Sequence, residues 1–83
     1  MEIKLIGPGC RNCKNLLELV RQAVNEAGIE SEIIYLTDMA DIMKTGIMQT
    51  PGLMINGKIK TVGRVPALKE IKQFISEEIY ILL

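Results

Sequence analysis

The sequence predicts an α/β fold in the order β-α-β-α-β-β-α, with one mixed four-stranded sheet and helices on both of its faces. Short apolar runs bounded by Gly and Pro alternate with segments of helical period. The first two runs flank a helical segment, which implies parallel strands joined by a right-handed crossover. The last two flank Asn56-Gly57, the strongest short-range hairpin signal. A chain of 83 residues fits one domain, over residues 1–83, and leaves no room for two.

Each element has its own signature. Ile3, Leu5 and Ile6 mark a first strand covered on both faces. From Cys13 the apolar positions Leu16, Leu17, Val20, Ala23, Val24 and Ala27 recur at helical spacing, leaving Arg21, Gln22 and Asn25 to solvent. Gly28 suits the position past the helix end, where glycine takes a left-handed conformation at little cost. Glu30 to Leu36 reads as the second strand. Thr37 or Asp38 caps a short helix through about Lys44, with Met39, Ile42 and Met43 turned inward and Gly46 stopping it. Leu53-Met54-Ile55 and Lys58 to Val62 form the hairpin. Pro66 fits a first helical position. Beyond it Leu68, Ile71, Phe74, Ile75, Ile79 and Leu82 line the inner face of a last helix, whose outer face carries Lys69, Glu70, Lys72, Gln73, Glu77 and Glu78.

Composition removes several function classes. Hydrophobic residues make up 48% of the chain, enough for a core, and ten basic residues balance ten acidic ones. Zero net charge gives no basic field for nucleic acid or an anionic membrane. Two Tyr, one Phe and no Trp leave little with which to stack bases. No apolar stretch reaches the roughly 18 residues of a membrane span. Met1 to Gly7 lacks the apolar core and cleavage site of a secretory signal. The expectation is a soluble cytoplasmic protein with neither nucleic-acid nor membrane partners. In that compartment a structural disulfide is rarely maintained, so a close cysteine pair points to catalysis or to metal.

The chain has two cysteines, in Cys10-Arg11-Asn12-Cys13, directly after a strand and opening a helix. Cys10 falls at or near the N-cap and Cys13 in the first turn. Free amide N–H groups and the positive end of the helix dipole favour a thiolate at Cys10, and Arg11 adds a fixed positive charge. Such surroundings lower a thiol pKa from about 8.5 into roughly the 3.5–7.5 range. Cys10, the more exposed, would attack a disulfide; Cys13, on the face that continues into Leu16 and Leu17, would resolve the mixed disulfide. Gly7-Pro8-Gly9 keeps the approach free of side chains. Rival readings are two inert buried cysteines, a soft-metal carrier using both thiolates, and a structural zinc site. Zinc requires four ligands, and with no His and no further Cys it would have to be shared between chains.

Thr50-Pro51, just before the third strand, is a second landmark. Taken alone it reads as a trans proline opening an edge strand, since only about 5–6% of X-Pro bonds are cis. Taken with the cysteines, it completes a pattern. A strand, Cys-x-x-Cys at a helix start, then Thr-Pro before a hairpin and a final helix, resembles the thioredoxin superfamily over essentially the whole chain. Thr50-Pro51-Gly52-Leu53-Met54-Ile55-Asn56-Gly57-Lys58 is especially similar to the small, glutaredoxin-sized, thioredoxin-like redox-active disulfide proteins of prokaryotes. The resemblance implies that Pro51 is cis and packs beside the disulfide, and that the Thr50 backbone pairs with an extended substrate segment. Residues Thr50 and Pro51 would thus bind substrate, and Cys10 and Cys13 would be catalytic. The pattern is departed from in four places: no Trp precedes Cys10, Arg11-Asn12 replaces the usual Gly-Pro or Pro-Tyr, the first strand lacks the buried acid that resembles a proton acceptor in true thioredoxins, and Gly63-Arg64-Val65 does not match the Gly-Gly followed by an acidic or hydroxyl residue of glutaredoxins.

The resulting expectation is a thiol–disulfide oxidoreductase, an electron carrier in cell redox homeostasis with no bound cofactor. Its partners would be protein or small-molecule disulfides and a disulfide reductase as donor. The alternative is the soft-metal carrier; such carriers have the order β-α-β-β-α-β, with an earlier hairpin and a terminal strand. Met39, Met43, Met48 and Met54 read as core packing rather than as soft ligands. Arg64 reads as a solvated arginine. A monomer is expected, with dimer contact through Ile79-Tyr80-Ile81-Leu82-Leu83 as the alternative use of that apolar tail.

Overall fold

The computed structural model describes residues 1–82, with side chains through Ile79. Its elements run β1 (Glu2–Ile6), α1 (Arg11–Ala27), β2 (Glu32–Leu36), α2 (Met39–Lys44), β3 (Gly52–Ile55), β4 (Lys58–Val62) and α3 (Leu68–Leu82). The sheet order is β2-β1-β3-β4. Strand β1 pairs parallel with β2, from Glu2 opposite Glu32 to Ile6 opposite Leu36. On its other side it pairs antiparallel with β3, placing Ile6 opposite Gly52. The hairpin β3–β4 is antiparallel, with a bulge at Leu53/Met54. This is the mixed sheet that the order of apolar runs implies.

Alternation along β1 sends its side chains to two cores. Ile3 and Leu5 join Leu16, Val20 and Ala23 of α1, Leu53 and Ile55 of β3, and Ile71 and Ile75 of α3. Ile6 faces the other way and packs with Ile42 of α2 and Ile47, flanked by Leu36 and Met54. The first core is thick and lies under two long helices. The second is thin and lies under a helix of six residues. Each fully buried Leu or Ile in the first contributes about 1.5–3 kcal/mol of apolar transfer.

Local chemistry sets the element ends. Gly28 ends α1 at φ 66°, its N–H donating to the carbonyls of Val24 (3.1 Å) and Asn25 (3.2 Å). The Asp38 side chain caps α2 by accepting from Ala40 N at 2.8 Å. Asn56 and Gly57 both have positive φ, 51° and 82°, as a type I′ hairpin turn demands. The turn is also tied to the start of β1: Asn56 N donates to Glu2 O at 2.8 Å, and Glu2 N donates to Asn56 Oδ1 at 3.0 Å. No helix of the described residues is long and apolar enough to cross a membrane.

Several expectations are corrected. Strand β2 starts at Glu32 rather than Glu30. Pro66 is not the first helical residue: α3 starts at Leu68, Ala67 O accepts its first bond from Ile71 N, and Pro66 lies buried upstream. Met39 and Met43 are not turned inward but are 59% and 75% exposed, and Met48 is 95% exposed. A helix of fewer than two turns presents one ridge to the sheet, and Ile42 occupies it. Glu78 is not on the wet face; it is 3% exposed. Its Oε2 accepts from Lys60 Nζ at 3.1 Å and Lys58 Nζ at 3.3 Å, both from β4. Of the apolar tail, the side chains of Tyr80, Ile81, Leu82 and Leu83 lie outside the described residues, and with them the dimer contact.

Candidate functional site

Cys10, Cys13, Thr50 and Pro51 come from two loops that the sheet brings together. Strand β1 ends at Ile6 and runs into Gly7-Pro8-Gly9, with Gly9 at φ 91°. The loop delivers Cys10 as the N-cap of α1, with extended backbone (φ −67°, ψ 168°). Cys10 O accepts from Lys14 N at 3.0 Å, and Cys10 Sγ accepts from Cys13 N at 3.2 Å. A sulfur thus stands where a serine or aspartate oxygen would usually cap a helix.

Cys10 and Cys13 are joined as a disulfide, with Cα atoms 5.0 Å apart, inside the range such a bond requires. The two sulfurs differ in access. Cys10 is exposed, while Cys13 is 2% exposed and sits on the same face of α1 as Leu16 and Val20. The Cys10 sulfur borders the unpaired N–H groups of the first turn, and no acidic residue occupies that turn. Arg11 beside it is exposed. All of these favour negative charge at the outer sulfur.

The second loop arrives through the β1–β3 pairing. Because Ile6 lies opposite Gly52, Pro51 falls level with Gly7 at the mouth of the same strand pair. The Thr50–Pro51 peptide bond is cis. Pro51 is buried and Thr50 is exposed. Pro51 O accepts from Gly63 N at 2.9 Å, tying this loop to the end of β4. Among the described residues, neither the N–H nor the C=O of Thr50 has a hydrogen-bond partner. Gly7 lies between the loops: a Cβ built on it would overlap Cys13 Sγ and stand 3.8 Å from Thr50 Cβ.

Two nearby features were not legible in motif spacing. The Gln49 side chain lies over Gly63, filling the space a Cβ there would need. Arg64, expected as a free surface cation, is exposed but forms a two-pronged pair with Glu70, at 3.2 Å and 2.7 Å. The hydrogen bonds and charge of Arg64 hold the Glu70 carboxyl below its ordinary range. Among the described residues no group of three or more His, Cys, Asp or Glu side chains is placed to hold a metal ion.

A strand running into a Cys-x-x-Cys helix start, with Thr50-Pro51 level with it at the head of an antiparallel hairpin, defines the class of small thiol–disulfide exchange proteins. Comparison with known sequences agrees. The profile of the thioredoxin domain matches residues 1–76. A thioredoxin of Methanothermobacter thermautotrophicus is 40% identical over 76 residues, spanning 92% of this chain and 99% of that protein. A thioredoxin of Methanocaldococcus jannaschii is 37% identical over 71 residues, spanning 86% and 81%. A probable thioredoxin of Methanothermobacter marburgensis is 33% identical over 75 residues, spanning 87% of each. The chain belongs to the thioredoxin family and is a thiol–disulfide oxidoreductase.

Proposed function

We propose that the protein, acting as a single domain over residues 1–83, is a two-electron carrier that reduces disulfides of proteins or small molecules. The Cys10 thiolate attacks one sulfur of the substrate disulfide and expels the other as a thiolate, which takes up a proton. Cys13 then loses its proton and attacks Cys10 Sγ, releasing the second substrate thiol. The substrate disulfide has gained two electrons, and the protein is left as the Cys10–Cys13 disulfide. A disulfide reductase returns it to the dithiol. No bound cofactor enters any step.

The observation that carries this reading is the asymmetry of the pair, one sulfur exposed at a helix N-cap and the other buried one turn away. A nucleophile has to reach a bulky substrate, whereas a resolving thiol has only to reach its neighbour. The unpaired Thr50 backbone, on the loop that meets the cysteine loop across Gly7, suits an extended substrate segment adding as a short strand. The reading includes a cytoplasmic setting, where thiols are kept reduced, a monomer as the working unit, and a part in cell redox homeostasis.

Reduction of insulin or an aromatic disulfide under a supplied reductant tests it. Cys13→Ser should accumulate a mixed disulfide with substrate, and Cys10→Ser should not. Alkylation of the reduced protein across a pH series should show one thiol, Cys10, titrating well below about 8.5. First reaction at Cys13 would reverse the roles. A monomer that held stoichiometric copper or zinc tightly and exchanged no disulfides would favour the metal-carrier reading instead.

A further inference from the structure

Five of the glycines, Gly9, Gly28, Gly46, Gly57 and Gly63, adopt positive φ, where the missing side chain serves the backbone. Gly7 does not. Its backbone conformation suits alanine as well as glycine, so its requirement lies in what surrounds it. Gly7 is buried. Its N–H donates to Leu36 O at 2.9 Å, extending the β1–β2 ladder one residue past the strand, so its backbone is held on one side. On the other side a Cβ would overlap Cys13 Sγ and lie 3.3 Å from Cys13 Cβ. The obstructing sulfur is close to its own backbone and cannot swing aside as the end of a long side chain would. It is also enclosed, since Cys13 belongs to the buried face of α1.

We propose that Gly7 is the positioning residue for Cys13: by lacking a side chain, it leaves the pocket in which the inner sulfur sits in line with Cys10. The proposal rests on the assignment of Cys10 to attack and Cys13 to resolution. Any side chain at position 7 displaces the Cys13 sulfur, and the intramolecular step suffers while the exposed Cys10 sulfur is untouched. A displacement on the order of 1 Å can cost up to about 100-fold in the rate of an intramolecular step.

The test uses the reduced full chain in slight excess over dithiobis(nitrobenzoate). Attack by Cys10 breaks the aromatic disulfide, releases one thionitrobenzoate and leaves the other bound to Cys10. Attack by Cys13 on Cys10 Sγ releases the second, so two coloured thiolates and one protein disulfide form. In Gly7→Ala the first phase should stay within about twofold of the native rate and the second should slow about tenfold or more. A second phase at the native rate would overturn the proposal. Cys13→Ser should show the first phase alone. If it released both thiolates normally, the assignment of roles would fail, an outcome distinct from failure at Gly7. Thermal denaturation of Gly7→Ala in native and Cys13→Ala backgrounds isolates the steric cause. The Tm should fall by about 5 °C or more in the first and change little in the second. Equal losses in both, or a double variant that does not fold while Cys13→Ala does, would remove Cys13 as the reason for the glycine.

Discussion

At the scale of single residues the inner and outer positions of the chain are decided by what each side chain meets. Glu78 shows this best. It follows Ile75 by three positions and Phe74 by four, so it lies on the apolar stripe of α3 and is carried inward with it. Burial pushes its carboxyl pKa up, but the hydrogen bonds and charges of Lys60 and Lys58 outweigh burial and hold it below the ordinary glutamate value. Lysine stems cross the end of the sheet and bring their ammonium groups to it. The sign of the pH effect follows. A carboxyl whose folded pKa is depressed stabilises the fold above its unfolded pKa, and that stability is lost as pH falls through the folded one. Urea midpoints measured across an acid series should therefore fall below the ordinary glutamate range. In Glu78→Gln the midpoint should be lower at neutral pH, and the acid dependence shallower. An unchanged acid slope in Glu78→Gln would assign the effect to Glu26 and Glu70, whose carboxyls are also held low by Lys72 and Arg64.

At the scale of elements, capping and turn chemistry do most of the specifying. Asn56-Gly57 is required twice over, for positive φ and for the Oδ1 that accepts from Glu2 N. Asn56→Ala should thus cost about 1–2 kcal/mol in urea denaturation, combining a left-handed alanine with a lost hydrogen bond. Gly28→Ala should cost about 1–2 kcal/mol for the left-handed conformation alone, and less than about 0.5 kcal/mol would mean that α1 can end elsewhere. These two elements were legible because their signals are local: a glycine past a periodic run, and a dipeptide whose turn type is set by its backbone. The cysteine helix was legible for the same reason. What was not legible depended on partners distant in sequence. Nothing near Glu78 announces Lys58 and Lys60, which reach it only because β4 lies beside α3. Met39 and Met43 carry a helical spacing that would bury them under a longer helix, but α2 stops after six residues and Ile42 takes the single inward position. Gly7 reads in the sequence as part of a loop kept free of side chains, and its contact with Cys13 exists only once β1 and α1 are packed.

At the scale of the whole molecule, the two cores differ in thickness and the site lies where they meet. Leu5 and Leu53 belong to the core beneath α1 and α3, and Ile6 and Ile47 to the one beneath α2. Of these, Ile6 leads directly into Gly7 and the cysteine loop, while Ile47 leads into Thr50-Pro51. The cysteine side is anchored by a helix of 17 residues with both ends capped, whose inner face is packed into the thicker core. The Thr50 side runs from Ile47 of the thinner core, whose buried set is Ile6, Ile42 and Ile47, into β3 of the thicker one. Opening free energy scales with buried apolar contact, so the two halves should not open together. Native-state hydrogen exchange should show β1, β3 and the middle of α1 protected up to the global unfolding energy. For a domain of this length that energy is about 4–12 kcal/mol. Amides of α2 should exchange through a smaller, sub-global opening, and Ile42→Ala should lower that opening while leaving the Cys10 alkylation rate in the reduced protein within about twofold. Leu53→Ala, by contrast, should cost about 2–5 kcal/mol globally and lower protection in every element. If α2 were protected as strongly as β1, the molecule would open as one unit, and the thinner core would set no separate opening for the segment that leads into Thr50.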